Sequence, residues 1–260
     1  MLRVTCEMAL YSRHTLNGLF RDRSGVIVTG SLKMFLQLHP RRRCHLLIDI
    51  DTQKDFLLPN GRACVRNQAE VLANIHRVMS WARCEKVPVI SIAEVYPNNN
   101  GCSEISYCLD GTEGQKKLSC TLLKHRVSFP ADNKNALPTD ILLAYKQVIL
   151  HKRCIDPFDE PRIERLLSEV QADEFVLIGA GTEDAVRATA MGLLQRGKKV
   201  RIIVDALGSH NTREAKLALR KMKAKGAKLI MTKDIAGVSH LKPVTSFGGR
   251  KHYKRKASRL

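Results

Sequence analysis

From residue 45 onward, apolar positions along the chain alternate between two patterns. Short, nearly unbroken runs occupy His45 to Ile50, Val87 to Ala93, Gln147 to His151, Phe175 to Ile178, Lys199 to Val204 and Ala227 to Thr232. Runs without in-and-out alternation suit strands covered on both faces, the signature of a buried parallel sheet. Between them, apolar residues recur every third or fourth position. Leu72, Ile75, Val78, Met79 and Ala82 share one helix face behind a candidate cap at Asn67. Pro161 fits the first turn of a helix running through Leu166, Leu167 and Val170, and a further short helix covers 138–145. Val186, Thr189, Ala190, Leu193 and Leu194 line a helix that Thr182 caps and Gly197 ends. Asn211 and Glu214 make a capping box for a last helix, stopped at Gly226. Six strands alternating with helices predict an α/β fold, a doubly wound, Rossmann-like six-stranded parallel sheet flanked by helices.

The pattern also sets the domain limits. Residues 44–237 form the α/β domain, and 260 residues with 44% hydrophobic content fit one large domain with extensions. Residues 1–43 show no sustained period and hold at most one short strand, over 24–30. They are read as a basic N-terminal extension, and 238–260 as a basic tail. Residues 95–137, rich in Asn, Gly, Ser and Pro, are a long insertion between strands.

Charge changes this picture only at the ends. Of a net charge of +19, residues 1–43 contribute eight Lys/Arg against two acids, and residues 238–260 seven against none. Such ends suit contact with nucleic acid or another polyanion; solvated basic tails are the plainer reading. Eight cysteines without a C-x-x-C pair, and no apolar leader segment, point to a reduced, cytoplasmic chain. No window approaches the ~20 apolar residues of a membrane span, and no membrane partner is expected.

Chemistry-bearing residues gather where predicted strands end, which is where doubly wound sheets bind ligands. Asp51, Gln53, Asp55 and Phe56 follow the first strand, Glu94 the second, and Lys152 with Phe158 a later one. The run Phe175 to Ile178 breaks at Gly179 and Gly181 and re-enters as a helix through Thr182, Glu183, Asp184 and Ala185. A turn of that kind presents backbone N–H groups to a ligand.

Three of these segments together carry a family resemblance. The order Asp51-Thr-Gln53-Lys-Asp55-Phe56, then Lys152 with Phe158, then Gly179-x-x-Thr182 resembles the D-x-Q-x-D-F, K-x-x-x-S-x-F and G-x-x-T-D-x-C-V motifs of the isochorismatase-like cysteine hydrolase superfamily, over about 44–236. The resemblance implies an isochorismatase-like fold, often oligomeric, with Asp51 as general acid and base and Lys152 as its charge partner. It also implies a cis peptide bond between Ala180 and Gly181. Gln53, Phe56, Glu94, Phe158, Gly181 and Thr182 become candidate binding residues, with Glu94 near the place where the isochorismatase branch uses a glutamine.

Two departures shape the functional reading. Ala185 stands where the thiol branch has its nucleophilic cysteine, and a methyl group attacks nothing. Cys154 has no motif to activate it. The segment from Ser91 to Tyr96 lacks the D-x-H of metal-binding relatives, so no metal or other cofactor is inferred. Two classes of function follow. The first is a small-molecule-binding or scaffold descendant, a pseudoenzyme that keeps the pocket. The alternative is a cysteine-independent hydrolase using Asp51, since the isochorismatase branch itself has glycine at the cysteine position and opens a vinyl ether by protonation.

Overall fold

The computed structural model describes residues 2–3, 44–98 and 105–238. Most of both basic extensions and the tip of the insertion lie outside these, so the expectations placed on the ends, the strand over 24–30 among them, concern residues not described. Seven parallel strands form the main sheet: β1 (His45–Ile50), β2 (Val89–Glu94), β3 (Arg126–Phe129), β4 (Gln147–Lys152), β5 (Glu174–Gly179), β6 (Val200–Leu207) and β7 (Lys228–Ile230). Their order across the sheet is β3-β4-β2-β1-β5-β6-β7. A minor parallel pairing joins Leu2–Arg3 to Val170–Gln171.

The four main helices are α1 (Gln68–Cys84), α2 (Pro161–Glu169), α3 (Ala185–Gln195) and α4 (Thr212–Ala224). Side-chain alternation along β1 sorts the core into two layers. Leu46, Ile48 and Ile50 pack with Ile163, Leu166, Val186, Leu193 and Met222 of α2, α3 and α4. Leu47 faces the other way, onto Val71, Ile75, Val78 and Met79 of α1. Both faces of β1 are therefore covered, which is why its sequence is apolar almost throughout.

The sheet has one strand more than the six predicted. β3 arises within the insertion and pairs with β4 at the sheet edge, from Arg126 against Gln147 to Phe129 against Leu150. Val127 and Phe129 rest on the core while Arg126 and Ser128 face solvent. An edge strand covered on one face alternates polar and apolar residues, and the search for unbroken apolar runs passes over it. The cytoplasmic and non-membrane expectations meet one structural fact: among the described residues no helix is long and apolar enough to cross a membrane.

Two predicted caps have other partners. Asn67 precedes α1 but makes no side-chain cap bond. Its Nδ2 donates to Leu207 O at 2.9 Å and its Oδ1 accepts from Ser209 N at 3.1 Å, so it ties the start of α1 to the end of β6. Thr182 likewise does not cap α3, whose preceding residue is Asp184; its hydroxyl donates to Gly208 O at 2.7 Å. Asn211 does cap α4, accepting from the N–H groups of Arg213 and Glu214 at 3.0 and 3.3 Å. Replacing Asn67→Ala removes two long-range hydrogen bonds at a half-buried joint. It should lower stability by about 1–3 kcal/mol, measured as a shift in urea midpoint at constant slope.

A buried carboxylate and lysine cluster at the strand ends

β4, β2, β1 and β5 are adjacent in the sheet, and their carboxyl ends bring Lys152, Glu94, Asp51 and the turn after Gly179 side by side. The chain winds from β1 toward β2 and β4 on one flank and returns to β5 on the other, so the crevice beside Asp51 is the topological switch point. Asp51 takes a left-handed conformation, φ 50°, as the strand turns into the short helix Lys54–Leu57. Aspartate tolerates that region better than most residues. Gly179, at φ 143°, lets β5 pass against β1, since a Cβ there would stand 1.9 Å from Ile50 O.

Lys152 is fully buried, and its Nζ lies 3.2 Å from Asp51 Oδ2 and 2.5 Å from Glu94 Oε1. One cation therefore serves two buried carboxylates. Asp51 Oδ1 and Glu94 Oε2 are buried without a hydrogen-bond partner. Burial pushes the Asp51 carboxyl up to about 7; Lys152 opposes this and the Glu94 charge adds to it. Desolvation acts to lower the Lys152 pKa, but the charges of Asp51 and Glu94 outweigh it and hold the ammonium above its usual value. The cluster thus keeps its lysine charged while Asp51 exchanges a proton near neutrality.

These groups border a cavity of about 220 Å³, lined by Asp51, Phe56, Glu94, Tyr107, Gly181 and Ala185, with Ala63, Ile155, Ala180, Asp184 and His210 completing the wall. Ala185 is the first residue of α3 and is 2% exposed. Phe56 meets Tyr107 edge-on at 5.4 Å and His210 at 6.0 Å between ring centres.

Three candidate binding residues are placed away from this wall, each with a structural task. Gln53 is fully buried and clasps β2: its Nε2 donates to Glu94 O at 2.7 Å and its Oε1 accepts from Glu94 N at 2.8 Å. It also donates to Gln115 O at 2.7 Å, fastening the insertion. The Phe158 ring lies against Gly192, where a Cβ would come within 2.1 Å, and under Arg196, 4.0 Å from the guanidinium carbon. Thr182 ties the turn to Gly208 through both its hydroxyl and its N–H.

The expected cis bond is absent: Ala180–Gly181 is trans, since no cis peptide bond occurs among the described residues. The turn instead reverses through glycines 179 and 181, at φ 143° and 70°. Asp184 and Val186 both donate their N–H groups to Gly181 O, at 3.1 and 3.0 Å, so part of the donor set at this helix start is consumed within the turn.

Asp184 and His210 went unremarked as site residues in the sequence, and so did Tyr107. β6 was read as ending near Val204, but it continues to Leu207, which moves its carboxyl-end loop onto His210. Asp205, inside β6, accepts from Thr232 N and Oγ1 at 2.8 and 2.9 Å. Tyr107 belongs to the insertion, and no local pattern announced it. The insertion is seated by a second buried ion pair under the opposite face, Lys117 to Asp49 at 2.8 Å, with Ser91 donating to the same aspartate oxygen at 2.9 Å.

Neither nearby thiol has the setting of a nucleophile. Burial first, then the charges of Asp159 and Glu160, pushes the Cys154 thiol up to about 11, and its Sγ contacts Asp156 O at 3.2 Å. Burial, with Glu94 and Asp51 nearby, raises Cys108 further. For a metal, the donor chemistry does not fit: Asp51 and Glu94 converge on an ammonium, and among the described residues no three His, Cys, Asp or Glu side chains are grouped to hold an ion.

A family model described as "Isochorismatase domain" matches residues 45–234. Among solved structures, the pyrazinamidase of Pyrococcus horikoshii in complex with zinc is similar at 21% identity, over 72% of this chain and 99% of that one, with a TM-score of 0.56. An isochorismatase-like hydrolase from Alkaliphilus metalliredigens is similar at 18%, over 73% and 96%, with a TM-score of 0.58. An N-carbamoylsarcosine amidase from Thermoplasma acidophilum is similar at 17%, over 72% and 96%, with a TM-score of 0.54. At these identities the likeness establishes the parallel α/β fold. Against curated protein sequences the chain has no significant match.

Proposed function

The chain belongs to the isochorismatase family, and on that premise we propose that it is a cysteine-independent hydrolase of a small molecule, with Asp51 transferring the proton. The observation that carries this reading is the cavity of about 220 Å³ in which Asp51, its carboxyl held near pKa 7, stands beside the buried ammonium of Lys152. A descendant kept only as scaffold has no need of an open cavity around a costly buried charge cluster; filling it with apolar side chains would be neutral or stabilising. The cavity thus speaks against a bare scaffold, and between a binding descendant that keeps the pocket and a hydrolase, the proton-exchanging Asp51 beside Lys152 favours the hydrolase.

Ala185 stands at the cysteine position of the thiol branch, and the chemistry proposed needs no nucleophile there. With a vinyl ether, the Asp51 carboxylic acid gives its proton to the terminal alkene carbon, and the electron pair of the double bond forms the new C–H bond. The resulting oxocarbenium ion takes up water, a proton returns to Asp51, and the hemiketal separates into a ketone and an alcohol. Positive charge develops in that transition state, and a wall containing the carboxylates of Glu94 and Asp184 favours it. An acyl-transfer route needs several aligned N–H donors for an oxyanion, and those of Asp184 and Val186 are already engaged. Lys152 keeps the cluster from carrying two uncompensated negative charges once Asp51 has given up its proton.

A panel of vinyl ethers, amides and ureides tests the reading, with product release followed by mass spectrometry. For a substrate that is turned over, kcat should fall about tenfold per pH unit above about 7, because the protonated form of Asp51 is the active one. A rate that rises through pH 7 would assign Asp51 the role of base and defeat the protonation step. No turnover across the panel would sink the hydrolase.

A further inference from the structure

The charge lining the cavity narrows the ligand. Its wall presents the carboxyl groups of Asp51, Glu94 and Asp184, and the residues lining it include no lysine or arginine. The nearby ammonium, that of Lys152, is fully buried and already shared between Asp51 and Glu94. His210 is the one basic side chain in the wall, and the backbone N–H groups of His210 and Asn211 hold the Glu183 carboxylate at 2.8 and 2.7 Å just behind it. The aromatic rings of Phe56 and Tyr107 offer the negative faces that cations and N–H groups prefer.

An acidic wall alone would not define a site, but two of its oxygens ask for a partner. Asp51 is 2% exposed and Glu94 5%, and Asp51 Oδ1 and Glu94 Oε2 have no hydrogen bond. Buried acceptors are ordinarily satisfied, and an orphan pair in a cavity wall is suited to donors supplied by a ligand. A carboxylate ligand brings a negative charge beside those of Glu94 and Asp184, with no lysine or arginine among the lining residues to offset it.

We propose that this cavity selects a small uncharged or cationic molecule whose N–H or O–H group donates to Glu94 Oε2, and to Asp51 Oδ1 whenever that carboxyl is ionised, and that it rejects carboxylates. The inference rests on the proposed function in placing the substrate against Asp51, and it deepens that reading by naming the substrate class. A volume of about 220 Å³ lies below the ~300–1,000 Å³ of drug-sized sites and fits a single substituted ring.

Benzamidine, benzamide and benzoate are nearly alike in shape and differ in charge, so their binding to the full-length protein, by calorimetry at low salt, isolates the charge term. Benzamidine should bind at least about tenfold more tightly than benzoate, with benzamide between them. Asp184→Asn should narrow that ratio, as should raising the salt. Benzoate binding as tightly as benzamidine, or none of the three binding, would overturn the inference. Failure of the hydrolase reading looks different: benzamidine binds in preference to benzoate, yet no member of the substrate panel is turned over.

Discussion

Lys152→Met is expected to be the most damaging single change in the domain, lowering stability by about 3–5 kcal/mol at pH 8. Methionine keeps most of the buried stem, so the loss isolates the charge. Without the ammonium, Asp51 and Glu94 are left in a dry interior with no cation between them. In the variant the Asp51 carboxyl, already raised by burial, loses the opposing ammonium and should titrate higher still. A carboxyl raised by folding contributes stability that is present at low pH and lost as pH rises through its folded value. The penalty should accordingly be small near pH 4 and grow toward pH 8. Guanidinium unfolding of wild type and variant at both pH values checks this. An equal loss at the two would show that the packing of the stem, rather than its charge, is what matters.

Asp51→Asn has the larger effect on activity. Replacing a positioned proton donor removes about 10²–10⁴-fold of turnover, while the amide, nearly the size of the acid, leaves the cavity in place. Stability should move the other way. The wild-type carboxyl titrates at about 7 in the fold against 3.8 for an ordinary aspartate, so the folded chain holds a proton across that window that the unfolded chain has released. Wild-type stability should fall as pH rises from about 4 to 7, and the asparagine variant should lack that part of the slope. Measuring both turnover and denaturation midpoints separates the two effects. Full turnover in the variant would remove Asp51 from the chemistry whatever the stability data show.

What the sequence disclosed follows from how local each signal is. The β1 run from His45 to Ile50, the apolar face of α1 and the Pro161 start of α2 are written in neighbouring residues, and the α/β class with its parallel order was legible from them. So was the convergence of Asp51 and Lys152, because both directly follow buried strands and a doubly wound sheet gathers its carboxyl ends on one side. The resemblance sharpened the residue choice. β3 was missed because a half-covered edge strand lacks the unbroken apolar run that marks the others.

The sequence by itself determined the repeating strand and helix units and the order in which their ends bear charge, since hydrophobic period and turn residues act over a few positions. Only the tertiary structure decided what those charges do. Glu94 turned out to share the lysine with Asp51 because β2 lies between β4 and β1. Gln53, Phe158 and Thr182 became fasteners because their partners, Glu94, Gly192 and Gly208, are distant in the chain. Tyr107 and His210 entered the wall from an insertion and from a strand three residues longer than it read. The pKa of Asp51 arises from burial and from two charges on other strands, quantities that exist only once the sheet has closed around them.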